Sequence, residues 1–187
     1  MCPIKSKAEV PSDNLHKRKE LLMKKYKTLN LCLSAVFMAL TFVVTRFIQI
    51  PIPLGYFNVG NSVILLACLI VPSPYGIVVG SLGSALADLT SFPVYTVPTL
   101  IIKLLMPMVF YMMTRKNSEE KTLQQVLAAA VSTLIPLFGY TLTGGIIYGD
   151  MIAGLAQFPG LFLEYVANLV IFAALCAPVR RIRNHIS

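Results

Sequence analysis

Five ionisable residues stand within or beside the apolar stretches of this 187-residue chain: Arg46, Asp88, Lys103, Asp150 and Glu164. A charge inside hydrocarbon costs roughly 2.5–3.5 kcal/mol on insertion scales, which makes each of them a functional candidate. Glu164 and Asn168 are four residues apart and share one helical face. Lys103 lies roughly 9 Å along its segment from Val97, at 1.5 Å rise per residue. A cation and a carboxylate–amide pair can therefore converge on one ligand. Asn58, Asn61, Tyr95, Tyr140 and Tyr148 add donors and acceptors near the same ends of their segments. The chemistry these types support is non-covalent recognition of a small polar molecule.

Plainer roles stand beside that reading. Lys103 pairs equally well with Asp88 or Glu164 to neutralise a buried charge, and Glu164 near a membrane edge can simply reach water. Tyrosines near helix ends commonly form an interfacial belt. Arg46, near the end of its segment, has a stem long enough to snorkel.

Bond-making chemistry finds little support. Both histidines, His16 and His185, lie in the polar tails, so no zinc site of the H-E-x-x-H type can be built and no metal is expected. No histidine stands in an apolar segment to activate a serine, threonine or cysteine. A Ser–Lys pair using Lys103 is the only nucleophilic arrangement left, and no residue pattern selects its serine. Gly55-Tyr-Phe-Asn-Val-Gly-Asn-Ser62 has the glycine spacing of a phosphate-binding loop, but Asn61 occupies the position of the required lysine. The glycines suit a loop folding over a pocket. The four cysteines, Cys2, Cys32, Cys68 and Cys176, are widely spaced and read as packing residues. No catalytic residue and no cofactor are expected.

The elements that must position these groups are membrane helices. The chain is 56% hydrophobic and 13% charged, against about a quarter charged in a soluble domain. Six apolar segments are expected, at 29–50, 61–71, 75–89, 97–113, 123–147 and 160–177, with turns at Pro51-Ile-Pro53, Pro72-Ser-Pro74 and Phe158-Pro-Gly160. The segment at 61–71 is short for a full crossing. The expected fold is all-α, a single integral membrane bundle of six transmembrane helices over residues 29–177. It is flanked by basic segments at 1–28 and 178–187. The first apolar run is too long for a signal peptide, whose core is roughly 7–15 residues.

Charge fixes the expected orientation. Of 16 Lys and Arg residues, eight precede the first segment, Arg115, Lys116 and Lys121 lie between the fourth and fifth, and Arg180, Arg181 and Arg183 follow the sixth. Cytoplasmic flanks accumulate such residues, so these three regions and both termini are expected in the cytoplasm of a prokaryotic cell, below its plasma membrane. The second and third segments then either both cross or form a re-entrant pair. The basic residues sit at membrane edges, which argues against nucleic acid as a partner. The polar candidates gather towards the outer side.

Ala35 and Ala39 on the first segment form a small-xxx-small pair, suited either to a partner helix or to packing inside the bundle. Together, Ala35-Val-Phe-Met-Ala39, Ile50-Pro-Ile-Pro53, Gly55–Ser62, Gly80-Ser-Leu-Gly-Ser-Ala-Leu-Ala-Asp88 and Tyr95-Thr-Val-Pro-Thr-Leu-Ile-Ile-Lys103 resemble the S components of energy-coupling factor (ECF) vitamin transporters. The resemblance covers most of residues 29–177. It implies a vitamin-binding subunit that works with a transmembrane T subunit and two ATPases, with Ala35 and Ala39 at the T-subunit contact. It places a vitamin or precursor among the outer loops and the last three segments, where Asn58, Asn61, Tyr95, Lys103, Tyr140, Glu164 and Asn168 are the candidate contacts. Hydroxymethylpyrimidine, pyridoxine-like compounds and pantothenate are favoured, since the chain has no tryptophan with which to sandwich a large flat ring. Riboflavin and folate binders share the pattern. A stand-alone transporter using Lys103 or Glu164 as a proton carrier is the competing expectation.

Overall fold

The computed structural model describes residues 12–52, 55–114 and 122–186. Its order is α1 (Ser12–Phe47), β1 (Gln49–Ile52), β2 (Gly55–Asn58), α2 (Gly60–Ile70), α3 (Tyr75–Ser91), a 3-10 turn (Pro93–Tyr95), α4 (Thr96–Thr114), α5 (Thr122–Tyr148), α6 (Met151–Ala156) and α7 (Phe158–Ile186). Residues 1–11, Pro53 and the basic connection with Arg115, Lys116 and Lys121 lie outside the described residues.

Six helices have eleven residues or more, matching the six apolar segments in order. Among the described residues, four spans are long and apolar enough to cross a bilayer: Arg18–Phe47, Pro93–Thr114, Thr122–Tyr148 and Met151–Arg181. The helices α2 and α3, of 11 and 17 residues, are shorter than the roughly 20 residues a crossing needs. α2 is tolerated because it is surrounded by protein. Ile64, Leu65 and Ala67 are fully buried in it, and it packs against α1, α3 and α7. Their neighbours supply the apolar surroundings that lipid supplies to α1.

Two expectations need correction. The first segment does not continue as helix to residue 50: α1 ends at Phe47, and Gln49–Ile52 pairs antiparallel with Gly55–Asn58, setting Gln49 opposite Asn58 and Pro51 opposite Tyr56. Pro51 is the cause, because the residue before a proline is pushed out of the helical region towards extended backbone. The fold is therefore a helical bundle carrying one short hairpin. Phe158-Pro-Gly160 is a helix start and not a turn, in keeping with proline's fit to the first helical turn. The real turn comes earlier, where Gly149 takes a positive φ of 68° after α5.

The interior divides along its length. One end holds an apolar cluster of Leu65, Leu69, Met106, Phe110, Ala128, Ala129 and Phe172. The other holds most of the buried polar side chains. The α1–α3 contact is close because Gly83 lacks a side chain: a Cβ there would lie 3.1 Å from both the Met38 carbonyl oxygen and Thr41 Cβ. Gly83→Leu should force these helices apart at a cost of about 1–3 kcal/mol. A thermal melt in detergent checks this, with Leu82→Ala on the exposed face of α3 as the neutral comparison. Ala35 and Ala39 are exposed on α1, whereas the adjacent Ser34 is buried and donates to the Asn30 carbonyl at 2.6 Å. The alanine pair therefore does not pack inside the bundle.

Candidate binding pocket

The polar end holds a pocket lined by hydrogen-bonding and aromatic side chains. The walls come from several elements: Thr45 from α1, Gly55, Tyr56 and Asn58 from the hairpin, Ser84 and Asp88 from α3, Tyr95 from the 3-10 turn, Thr99 and Lys103 from the first half of α4, Tyr140 from α5 and Leu161 from α7. Gln157, at the end of α6, closes one side. Gly144 makes room for it, since a Cβ at that position would collide with the Gln157 amide. A wider cleft at the opposite end, lined by Leu69, Val71, Phe110 and Tyr111 among others, carries no charged side chain among the described residues.

Two hydrogen-bonded groups organise the pocket. In the first, Tyr56 and Thr99 both donate to the Asp88 carboxylate, and the Tyr140 hydroxyl donates to Thr99 Oγ1 at 3.1 Å. Tyr56 also lies against Phe92, with ring centroids 5.4 Å apart. Burial, and next the neighbouring Asp88 charge, push the Tyr56 hydroxyl well above the usual phenol range, so it remains a donor. This bond ties the hairpin to α3 across the pocket.

The second group is centred on Asn61. Lys103 donates to Asn61 Oδ1, and Asn61 Nδ2 donates to Glu164 Oε1 at 2.9 Å. Lys103 thus meets Glu164 through an amide, and its ammonium also lies 5.4 Å from the Tyr140 ring centroid. This explains why asparagine stands where a phosphate loop would have lysine. Asn168 completes the group from α7: its Oδ1 accepts from Ser62 N at 2.8 Å, and its Nδ2 donates to the carbonyls of Asn58 and Glu164, both at 2.9 Å. Asn58 Oδ1 in turn accepts from Gly60 N at 2.8 Å.

The seven candidates from the sequence fall into layers. Asn58, Tyr95, Lys103 and Tyr140 line the pocket, while Asn61 and Glu164 line a smaller cleft that Tyr140 shares with it. Asn168 is fully buried behind them and lines neither. Tyr148 is 46% exposed, and Asp150 caps α6 by accepting from Ile152 N at 2.8 Å. Arg46 lies over the Phe47 ring at 5.9 Å. Sequence reasoning missed Thr45, Tyr56, Ser84, Phe92, Thr99 and Gln157 as pocket residues. Tyr56, Ser84 and Thr99 lie inside the segments that carry the family resemblance, whereas Thr45, Phe92 and Gln157 carried no positional signal.

The arrangement offers donors, acceptors, aromatic faces and, among the described residues, one buried cation. The family model for the ECF-type riboflavin transporter S component matches residues 25–181. The chain belongs to this family. That match takes in every long helix of this S component, and the family is one of transporter subunits with a substrate-binding role, not of enzymes. A relative from Pyrococcus woesei, described as an uncharacterized protein in a gap 3'region, is 27% identical over 131 residues, 69% of this chain and 86% of its own. A solved structure, described as the structure and mechanism of the S component of a bacterial ECF transporter, superposes with a TM-score of 0.65 at 20% identity. It covers 86% of this chain and 99% of that one. At that identity the match speaks for the fold. This S component is accordingly a helical membrane protein.

Proposed function

We propose that this protein captures a small vitamin or vitamin precursor at the outer face of a prokaryotic plasma membrane and hands it to a T subunit and two ATPases. The observation that carries the reading is the pocket, on whose walls Asp88, Lys103 and three tyrosines converge. Orientation is supported by charge: the pocket lies at the opposite end of α4 and α5 from the basic residues 115–121, and both termini carry further basic residues. The pocket then opens outward, with the basic segments 1–28 and 178–187 in the cytoplasm. The exposed Ala35 and Ala39 suit close approach of a T-subunit helix.

Within the vitamins, the absence of tryptophan favours a single-ring compound: hydroxymethylpyrimidine, pyridoxine or a similar ring, with pantothenate as a compact alternative. Riboflavin is the second reading, favoured by the family match. The contacts assigned to the ligand are Asn58, Tyr95, Lys103 and Tyr140, with Asn61, Glu164 and Asn168 holding them in place.

Reconstitution in liposomes separates this from proton-coupled transport. The chain alone should give no uptake of these compounds under a pH gradient, whereas uptake should appear with a T subunit, both ATPases and ATP. Gradient-driven uptake by the chain alone, lost on Lys103 or Glu164 substitution, would support the secondary-transporter reading instead.

A further inference from the structure

Two hydroxyls on the pocket wall have no hydrogen-bond partner among the described residues: Thr45 Oγ1 and Ser84 Oγ, on residues 2% and 1% exposed. Hydroxyls in membrane helices ordinarily donate to a carbonyl one turn back, as Thr133 does to Ala129 and Thr141 to Leu137. Thr45 and Ser84 leave that option unused. Thr45 is pressed against the hairpin exit, where a Cβ on Gly60 would collide with its Oγ1. Ser84 stands one turn before Asp88 on the same face of α3, and both line the pocket. The Asp88 carboxylate already accepts from Tyr56 and Thr99, which leaves acceptor capacity, since a carboxylate offers about four lone-pair sites.

We propose that Thr45, Ser84 and the remaining acceptor capacity of Asp88 form a specificity wall that binds an amino or hydroxyl group of the captured vitamin. The inference rests on the reading of this pocket as the vitamin site. A hydroxyl both donates and accepts, and Asp88 accepts, so the wall matches a substituent bearing N–H or O–H. A methyl in the same place would leave the Thr45 and Ser84 hydroxyls buried and unmatched and the spare acceptor capacity of Asp88 unused. Selection among related ring compounds thus comes from α1 and α3 as well as from the later helices.

The test uses the full chain, with riboflavin, hydroxymethylpyrimidine, pyridoxine and pantothenate as probes. For whichever binds wild type, Thr45→Val and Ser84→Ala should each weaken affinity about 3- to 10-fold, the range expected for one hydrogen bond. Thr45→Ser, which keeps the hydroxyl, should retain affinity. Ligand-free Thr45→Val and Ser84→Ala should unfold no earlier than wild type, because neither variant loses an existing bond. Thr41→Val removes a hydroxyl that is also unpartnered but lies off the pocket, and it should bind normally. Equal affinity in wild type, Thr45→Val and Ser84→Ala overturns this inference and leaves the vitamin site standing. A wild-type chain that binds none of the four overturns the site reading and this inference with it.

Discussion

Replacing Lys103 with methionine should lower the affinity of the purified chain for its vitamin roughly 10- to 100-fold. The side chain is 2% exposed, lines the pocket, donates to Asn61 and lies near the Tyr140 ring. Methionine keeps the length and removes the donor and the charge. Hydrogen bonds involving a charged group contribute about 1.5–3 kcal/mol, and about 1.4 kcal/mol corresponds to tenfold in binding. Lys103 also offsets Glu164 through Asn61, so some loss of stability should accompany the loss of affinity. Lys103→Met combined with Glu164→Gln separates the two roles. If Lys103 touches the ligand, the double variant recovers thermal stability and still binds weakly. If the lysine only neutralises Glu164, the double variant recovers both.

Asn168→Ala should produce the largest loss of stability among the polar substitutions. The residue is fully buried and bonds three ways, to the start of α2 at Ser62, to the end of β2 at Asn58 and to its own helix at Glu164. Alanine leaves the Ser62 amide and the Asn58 carbonyl buried without that partner, at about 1–3 kcal/mol each. A loss of about 2–6 kcal/mol corresponds to a fall of about 4–24 °C in the unfolding temperature of a chain this size. Thermal unfolding in detergent reads it directly, with Leu142→Ala on the exposed face of α5 as the neutral comparison. Vitamin binding should weaken too, because the hairpin and α2 lose their anchor on α7. An unfolding temperature equal to that of wild type would show that the Asn168 bonds contribute little.

The long helices were legible because lipid imposes a simple rule: an uncharged apolar run of sufficient length must be a helix with its backbone bonds satisfied internally. The four spanning segments follow from that rule alone. α2 and α3 were harder, since a helix sheltered by its neighbours is released from the length requirement, and nothing in residues 60–70 declares that shelter. The hairpin was obscured because Ile50-Pro-Ile-Pro53 reads as a break after a helix, while its pairing partner is defined only by the fold.

The pocket shows the same division. Lys103, Glu164, Asn61 and Asn168 stand out in apolar sequence because burying such groups is costly without partners. Threonine and serine do not stand out, since a helix can satisfy them with its own carbonyls. Thr133 and Thr45 look alike in sequence, and only the assembled bundle shows that one has a partner and the other does not. Gln157 was hidden for another reason. It belongs to a short helix in the connection between α5 and α7, and it reaches the pocket only because Gly144 leaves space for it.

The central claim is capture without catalysis or energy input, and equilibrium binding by the purified, ligand-stripped chain tests it most directly. With no ATP and no partner subunit present, titration with hydroxymethylpyrimidine, pyridoxine, pantothenate and riboflavin should give saturable one-to-one binding of at least one of them. A folded preparation that binds none of the four would contradict the account.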